Sequence, residues 1–322
     1  MPHRIKDSKK GGFIVARGVV AFCAAALSVA VLSVLLLSGC GNTGGSNVSG
    51  PPRDNSPVVL SVSTPGTRVV DNNKATLDYS NSSDGYICVM SKLSSTKVKV
   101  LVDVDGAQYQ YTIETSGSFI TIPLSQGNGS YSVGVWENVT GDSYAAVFQQ
   151  SIDVSLSDEF KPFLYPSQYV DFATGDESTD LSQSLTEGAV TDVDALNDLY
   201  DYVINNISYD TQEAVTVASG YLPNNTDTLN KKKGICFDYA VLTASMLRAQ
   251  RIPAKLVIGY ASQAYHAWIQ VYCVDSGTVL SYSFNGQSWQ RMDPTYDAAS
   301  KGANDLLAVI GNGNNYQPMF YY

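Results

Sequence analysis

The sequence predicts an α+β protein in which an antiparallel β-sandwich precedes a domain that starts with helices and ends with a sheet. Short β-rich runs broken by turns fill residues 58–155, whereas helical spacing of apolar residues first appears at residues 191–207. β-rich runs return after residue 254. A chain of 322 residues is long enough for two hydrophobic cores, because single cores seldom grow beyond roughly 250 residues.

A basic start and a long apolar run open the chain. MPHRIKDSKKGGFIVAR leads into VVAFCAAALSVAVLSVLLL, a run without any charged residue. Leu37, Ser38 and Gly39 then precede Cys40, and this order resembles the lipobox of bacterial lipoproteins, whose signal peptidase cuts before a cysteine that carries diacylglycerol. We therefore predict a signal peptide over residues 1–39, a lipid on Cys40, and a chain held on the extracytoplasmic face of the cell membrane.

The mature chain is predicted to be acidic. The formal net charge of −10 falls to about −14 once residues 1–39 are removed. An acidic surface repels nucleic acid and anionic lipid head groups, so we expect no nucleic-acid partner and membrane contact through the lipid anchor alone. Residues 40–57 are rich in Gly, Ser, Asn and Pro without apolar periodicity, which predicts a flexible tether.

The segment 58–155 contains the clearest hairpin signal of the chain. Valines alternate from Val98 to Val104, Asp105-Gly106 supplies a turn, and the alternation resumes at Tyr109. Seven or eight such strands in about a hundred residues favour an antiparallel sandwich of immunoglobulin-like type. Its tyrosines could line a carbohydrate-binding face, but aromatic residues on strands more often serve packing, and no ligand is assigned to this domain.

A connecting segment, residues 156–190, contains prolines and the acidic stretch GDESTD and is predicted to be loosely structured. The second domain, residues 191–322, begins with TDVDALNDLYDYVINNI, whose capping-type Thr or Asp and apolar spacing predict a helix. A second helix is expected over residues 237–249, followed by strands. Asn285-Gly286 predicts a two-residue hairpin turn between the last two strands.

Five cysteines suggest a disulfide set until each one is assigned. Cys23 leaves with the signal peptide and Cys40 carries the lipid, so Cys88, Cys236 and Cys273 remain. Three is an odd number, and the cysteine density is low for a domain held by disulfides. Cys88 and Cys273 are therefore interpreted as buried free thiols on strands, and a bridge between them is the less favoured alternative because they fall in different predicted domains.

The third cysteine lies in KKKGICFDYAVLTASML, where Gly234 ends a loop and Cys236 opens an apolar helix. A thiol at that point is close to unsatisfied backbone N–H groups and to the positive end of the helix dipole, which both stabilise a thiolate. The lysines at 231–233 add positive charge, and the Cys236 N–H could donate to an oxyanion. The alternative is a small apolar residue at a helix end, behind a solvated run of lysines.

A thiolate nucleophile needs a base, and His266 is the only histidine outside the predicted signal peptide. Asp293 follows it in RMDPTYD and can fix the orientation of the imidazole. Taken separately, His266 could be structural and Asp293 could form an Asx turn before Pro294. One histidine without a close-spaced ligand pair argues against a metal site, and glycine-rich phosphate loops are absent from the sequence, so no cofactor is implied.

Four blocks in order, GICFDYAVLTASMLR, IPAKLVIGY, YHAWIQVY and WQRMDPTYDAA, resemble the bacterial transglutaminase-like superfamily, whose core is related to papain-type cysteine proteases. The resemblance implies a transglutaminase-like α+β domain with Cys236 as nucleophile, His266 as general base and Asp293 as orienting carboxylate. It implies thiol acyl chemistry without fixing the acceptor, since relatives include crosslinking enzymes, peptidases, deamidating enzymes and inactive scaffolds.

Two functions remain open at this point. The first is a surface enzyme, an acyltransferase or a cysteine peptidase or amidase, acting on protein or peptide amides of the cell envelope. The second is a catalytically silent envelope lipoprotein that binds or scaffolds through its sandwich. The intact Cys, His and Asp set favours the enzyme, because a silent scaffold has no physical need for it. Trp268 and Trp289 could wall the cleft, although tryptophans on strands more often lie in the core.

Overall fold

The computed structural model describes residues 3–4, 53–94, 97–114, 117–300 and 314–322. Cys40 and nearly all of the predicted signal peptide lie outside the described residues. Among the residues that are described, the structure contains no helix of the length and apolar character needed to span a membrane.

Two antiparallel sheets form the N-terminal half. One sheet has the strand order β2-β3-β4-β7 and the other β1-β9-β8-β5-β6. The strands are β1 His3–Arg4, β2 Val69–Asp71, β3 Ala75–Asp78, β4 Tyr86–Ser91, β5 Val98–Val104, β6 Ala107–Ile113, β7 Phe119–Pro123, β8 Gly129–Thr140 and β9 Ser143–Val154. The hairpin predicted around Asp105-Gly106 is confirmed, because Val104 pairs with Ala107 and both turn residues have positive φ, as a type I′ turn requires.

The C-terminal half is a mixed α/β unit in which helices pack against an antiparallel sheet of order β16-β13-β12-β17. Short pairs, β10 with β11 and β14 with β15, lie outside that sheet. The elements are α1 Glu177–Leu185, α2 Asp192–Asn206, β10 Ser208–Tyr209, α3 Thr211–Thr216, α4 Asn225–Lys231, β11 Lys233–Gly234, α5 Cys236–Ala249, β12 Ala254–Ala261, β13 Ala264–Val271, β14 Ser276–Val279, β15 Tyr282–Asn285, β16 Gln290–Met292, α6 Pro294–Ser300 and β17 Tyr316–Tyr321.

Both predicted helices of this half are present. α2 begins after Thr191, whose side chain accepts from the Asp194 N–H while the Asp194 carboxylate accepts from the Thr191 N–H, a reciprocal capping box. α5 begins at Cys236, and all 14 of its residues are buried. A helix that is buried on every side lies at the centre of a domain, so α5 is the element around which the others pack.

The prediction of a hairpin turn at Asn285-Gly286 is wrong. β15 pairs with the preceding β14, and the two-residue loop lies at Leu280-Ser281. The following strand, β16, pairs with β13 instead. The Asn285 carboxamide accepts from the Gln287 N–H, so the Asn-Gly pair forms an Asx turn that lets the chain cross to the main sheet.

The connecting segment is more ordered than predicted. Within it, a 3-10 helix spans Lys161–Phe163 and α1 spans Glu177–Leu185, so the prediction of a loose connection is wrong for these residues. Tyr169, from the same segment, packs its ring against Tyr322 at a centroid distance of 4.6 Å and against Tyr111 of the sandwich at 5.4 Å. These tyrosines serve packing, and one hydrophobic cluster runs through both halves of the described chain.

The end of the predicted tether is also docked. The Arg53 guanidinium donates to the Asp192 carboxylate at the start of α2, at 2.9 Å. The Val58 N–H donates to the carbonyl of Ala249, the last residue of α5, at 2.8 Å. Residues 53–57 are therefore held against the C-terminal half, and the prediction of a flexible tether is wrong for them.

Gly259 allows β17 to approach β12. A Cβ atom added to Gly259 would lie 2.1 Å from the Gln317 carbonyl oxygen, and the register of the two strands shifts at this point. We expect Gly259→Ala to lower the free energy of unfolding by about 2 kcal/mol, because the backbone of β17 must move away. Gly188→Ala is the matched control, since a Cβ there meets no atom within 4 Å. Urea unfolding of both variants checks this expectation, and equal midpoints would contradict it.

Candidate active site

The predicted nucleophile is the first residue of α5. Ile235, with extended backbone, is the N-cap, and the Cys236 side chain is 1% exposed. The first backbone N–H groups of a helix have no carbonyl partner within it. Cys236 is thus placed as the sequence predicts, at a helix N-terminus.

Two of the three lysines before the cysteine have acidic partners. The Lys231 ammonium lies 3.3 Å from the Asp227 carboxylate, and the Lys233 ammonium lies 3.1 Å from the Asp210 carboxylate. All three lysines are exposed, and Lys232 adopts a left-handed conformation that ends α4. The carboxylate partners of Lys231 and Lys233 offset part of the positive charge that the sequence places before the thiol.

His266 lies on β13, which packs against α5. Its side chain is 3% exposed and is hydrogen-bonded to Cys236 on one side. On the other side, the His266 Nε2 lies 2.7 Å from the Asp293 Oδ2. Since Nε2 is engaged with the carboxylate, Nδ1 is the ring nitrogen that remains for the sulfur. The structure therefore brings all three predicted residues together, with the imidazole in the middle.

The Asp293 carboxylate is held in a fixed orientation. It immediately precedes α6, and its Oδ1 accepts from the N–H groups of Thr295 and Tyr296, both at 3.0 Å. Its Oδ2 accepts from the Tyr316 hydroxyl at 2.5 Å as well as from His266. Burial opposes ionisation of this carboxyl, but the charge of His266 and these hydrogen bonds outweigh burial and lower the pKa of Asp293.

The same contacts act on His266 in the opposite direction. Burial by itself lowers the pKa of the imidazole, whereas the charges of Asp293 and Cys236 and the hydrogen bonds to them raise it, to about 10 overall. The imidazole is then protonated at neutral pH. An imidazolium that contacts both a sulfur and a carboxylate can donate its proton to a leaving group.

An aromatic wall supports the imidazole. Trp268, on the same strand, stacks on His266 at a centroid distance of 6.2 Å, and Tyr316 packs edge-on against Trp268 at 4.9 Å. The guanidinium of Arg291 lies over the Tyr316 ring at 4.0 Å. Trp268 thus lies behind the site. Trp289 instead packs with Phe163 at 5.3 Å and belongs to a separate aromatic cluster.

Sequence reasoning missed Tyr316. It lies on β17, outside the four sequence blocks, and the chain contains 21 tyrosines, so nothing in the sequence distinguishes it. A cavity of about 450 Å³ opens beside it, lined by Ser262, Gln263, Asn314, Asn315, Tyr316 and Gln317. Amide side chains both donate and accept hydrogen bonds, so this lining suits neutral polar groups.

The other two cysteines are in different surroundings. Cys88 lies on β4, and burial raises the pKa of its thiol to about 12. Cys273 follows β13 rather than lying on a strand, and burial raises the pKa of its thiol too. Both are free thiols, as predicted. Within the described ranges, no three His, Cys, Asp or Glu side chains converge as a possible metal-ligand set.

Comparison with known proteins gives one family match. Residues 179–294, which include Cys236, His266 and Asp293, match the model of the transglutaminase-like superfamily. No curated protein sequence matches the chain.

Several solved structures are similar to the chain at low identity. A provisionally named cysteine protease from Cytophaga hutchinsonii is 17% identical over 74% of this chain and 86% of that chain, with a TM-score of 0.37. The periplasmic domain of TgpA from Pseudomonas aeruginosa is 16% identical over 73% and 77%, with a TM-score of 0.32. Red sea bream transglutaminase is 12% identical over 65% of this chain and 48% of that chain, with a TM-score of 0.30.

Proposed function

Since the chain is a transglutaminase-like protein through its residues 179–294, we propose that it is a cell-surface enzyme that performs thiol-mediated acyl transfer or hydrolysis on protein or peptide amides. One observation carries the proposal: the His266 imidazole contacts both Cys236 and the buried Asp293 carboxylate. A nucleophile, a proton carrier and an orienting group in this order are the parts that covalent acyl chemistry needs.

The proposed first half-reaction forms a thioester. The Cys236 sulfur attacks the amide carbonyl carbon, and the N–H groups at the start of α5 stabilise the oxyanion. The C–N bond then breaks, and the His266 imidazolium donates its proton to the departing ammonia or amine. In the second half-reaction, His266 accepts a proton from water or from a substrate amine, which attacks the thioester and releases the sulfur. Water yields hydrolysis or deamidation, and an amine yields an isopeptide crosslink.

Product analysis tests this proposal. The soluble chain, residues 50–322, is incubated with envelope peptides that contain glutamine and lysine, and the mixture is examined by mass spectrometry with Cys236→Ala as control. We expect ammonia loss with a new isopeptide, deamidation, or cleavage, and only with the wild-type chain. Absence of all three products, or equal product with Cys236→Ala, would favour the alternative of a silent binding or scaffolding lipoprotein.

We also propose that the N-terminal sheets form an immunoglobulin-like sandwich. The pairing of β4 with β7 in one sheet supports this assignment, as does the order β9-β8-β5-β6 in the other. These pairings correspond to strands B with E and G-F-C-C′ of that architecture.

Lipid anchoring at Cys40 remains part of the proposal, and metabolic labelling tests it. Cells that express the full chain are grown with a palmitate analogue, and incorporation is compared between the wild type and Cys40→Ala. We expect the variant to incorporate none, because the acyl chains have no other attachment site in the predicted lipobox. Cys23→Ala is the matched control and should leave the label on the mature protein. Continued labelling of Cys40→Ala would remove Cys40 as the anchor.

A further inference from the structure

A buried carboxylate that the proposed mechanism does not use lies two residues after the nucleophile. Asp238, in the first turn of α5, is 1% exposed. Its Oδ2 accepts from the Ile235 N–H at 2.7 Å, and its Oδ1 accepts from the Tyr221 hydroxyl at 2.7 Å. Tyr221 lies between α3 and α4, so this carboxylate joins a separate segment of the chain to the residue that precedes Cys236.

The backbone beside this carboxylate is equally constrained. A Cβ atom added to Gly234 would lie 2.6 Å from the Asp238 Cβ, so only glycine allows the carboxylate to pack over the turn. The Tyr221 ring also packs edge-on against Phe237, at a centroid distance of 6.4 Å. Contacts therefore hold the residues on both sides of the nucleophile.

We propose that Asp238 and Tyr221 are positioning residues, which fix the entry into α5 so that the Cys236 thiol and N–H keep their direction relative to His266 and the substrate carbonyl. The inference rests on the proposed function and deepens it. An Ile235 N–H without its acceptor would leave the N-cap free to adopt other conformations, and the sulfur would then leave its contact with the imidazole.

Substitutions that remove the charge of Asp238 distinguish a positioning role from a purely electrostatic effect. Burial raises the pKa of Asp238 to about 6, against the opposing hydrogen bonds from Tyr221 and Ile235, so the group is mostly ionised at neutral pH. A carboxylate near a sulfur disfavours the thiolate. If charge alone mattered, any neutral substitution would make Cys236 react faster. If position matters, only a substitution that keeps the acceptor preserves reactivity.

The test measures the alkylation rate of Cys236 by iodoacetamide in the full chain, resolved by peptide mass spectrometry at neutral pH. Asp238→Ala should slow alkylation about tenfold, because it removes an acceptor from a buried N–H. Asp238→Asn keeps an oxygen for Ile235 and an N–H₂ group for Tyr221, so its rate should stay within about threefold of wild type. Tyr221→Phe should lie between the two.

Met246→Ala is the control for general destabilisation, because Met246 is buried in the same helix far from the nucleophile. It should lower the thermal midpoint without changing the rate at Cys236. An Asp238→Ala chain that reacts as fast as wild type would overturn the inference, and so would an Asp238→Asn chain as slow as Asp238→Ala. If Asp238→Ala fails to fold, an unchanged rate in Tyr221→Phe overturns it.

Failure of the inference and failure of the proposed function are distinguishable in the same experiment. Cys88 and Cys273 are internal references in every sample. A wild-type Cys236 that reacts no faster than these references contradicts the proposed function. A fast wild-type Cys236 with unaffected variants contradicts only the role of Asp238 and Tyr221.

Discussion

In the folded soluble chain, residues 50–322, iodoacetamide should alkylate Cys236 about a hundredfold faster than Cys88 or Cys273. Each of the three side chains is 1% exposed, so the degree of burial favours none of them. Only Cys236 lies at a helix N-terminus and contacts an imidazolium, whereas burial raises the pKa of the other two thiols. The difference in rate therefore reports the electrostatic surroundings of the sulfur.

His266→Ala should slow alkylation of Cys236 at neutral pH about tenfold or more, because it removes the cationic partner of the sulfur. Asp293→Asn should impair turnover more than alkylation, since its carboxylate acts through the orientation of the ring. Circular dichroism of each variant verifies that it is folded, and the urea-unfolded chain should show equal rates at all three cysteines. Equal alkylation in the folded wild type, or no effect of His266→Ala, would leave Cys236 as an ordinary residue at a helix start.

The second large effect concerns the titration of His266. The soluble chain contains this histidine alone, so a single imidazole signal is followed by NMR from pH 5 to 11. The protonated form should persist well above neutral pH, because Asp293 and Cys236 raise the pKa to about 10. Asp293→Asn should lower the titration midpoint by about two pH units, the usual effect of one adjacent buried charge. A wild-type midpoint near 6.5, the ordinary value, would contradict the ion pair.

This titration also sets how stability varies with pH. The pKa of His266 is raised in the folded chain, so the protonated imidazole contributes stability that is fully present below about pH 6.5. That contribution is lost as the pH rises through about 10. The difference in unfolding free energy between wild type and His266→Gln should therefore shrink over this pH range, as measured by urea unfolding. A difference that grows with pH would reverse the assignment.

Local signals in the sequence were sufficient for several elements. The capping pair at the start of α2, the Asp105-Gly106 turn and the apolar run of α5 each act over a few residues, and each element is present where expected. The order of Cys236, His266 and Asp293 along the chain likewise predicted which side chains would meet. Helix caps, tight turns and periodicity depend on neighbours in sequence, which is why they could be predicted.

Other features depend on residues that are distant in sequence. Tyr316 reaches Asp293 only because β17 pairs with β12. That pairing requires a residue without a side chain at Gly259. The Asn285-Gly286 pair has a strong local preference for a hairpin turn. The next strand, β16, nevertheless pairs with β13 and not with β15, so the Asn-Gly pair forms an Asx turn.

The sequence alone determined the chemistry available to this protein: one thiol at a helix start, one histidine and one carboxylate in a family-like order. The tertiary structure alone decided their electrostatics. It gave two of the three preceding lysines acidic partners, buried the imidazole between a sulfur and a carboxylate, and added Asp238 and Tyr221 around the nucleophile. The reason is physical: pKa values depend on burial and on charges a few ångströms away in space, and spacing along the chain does not specify those distances.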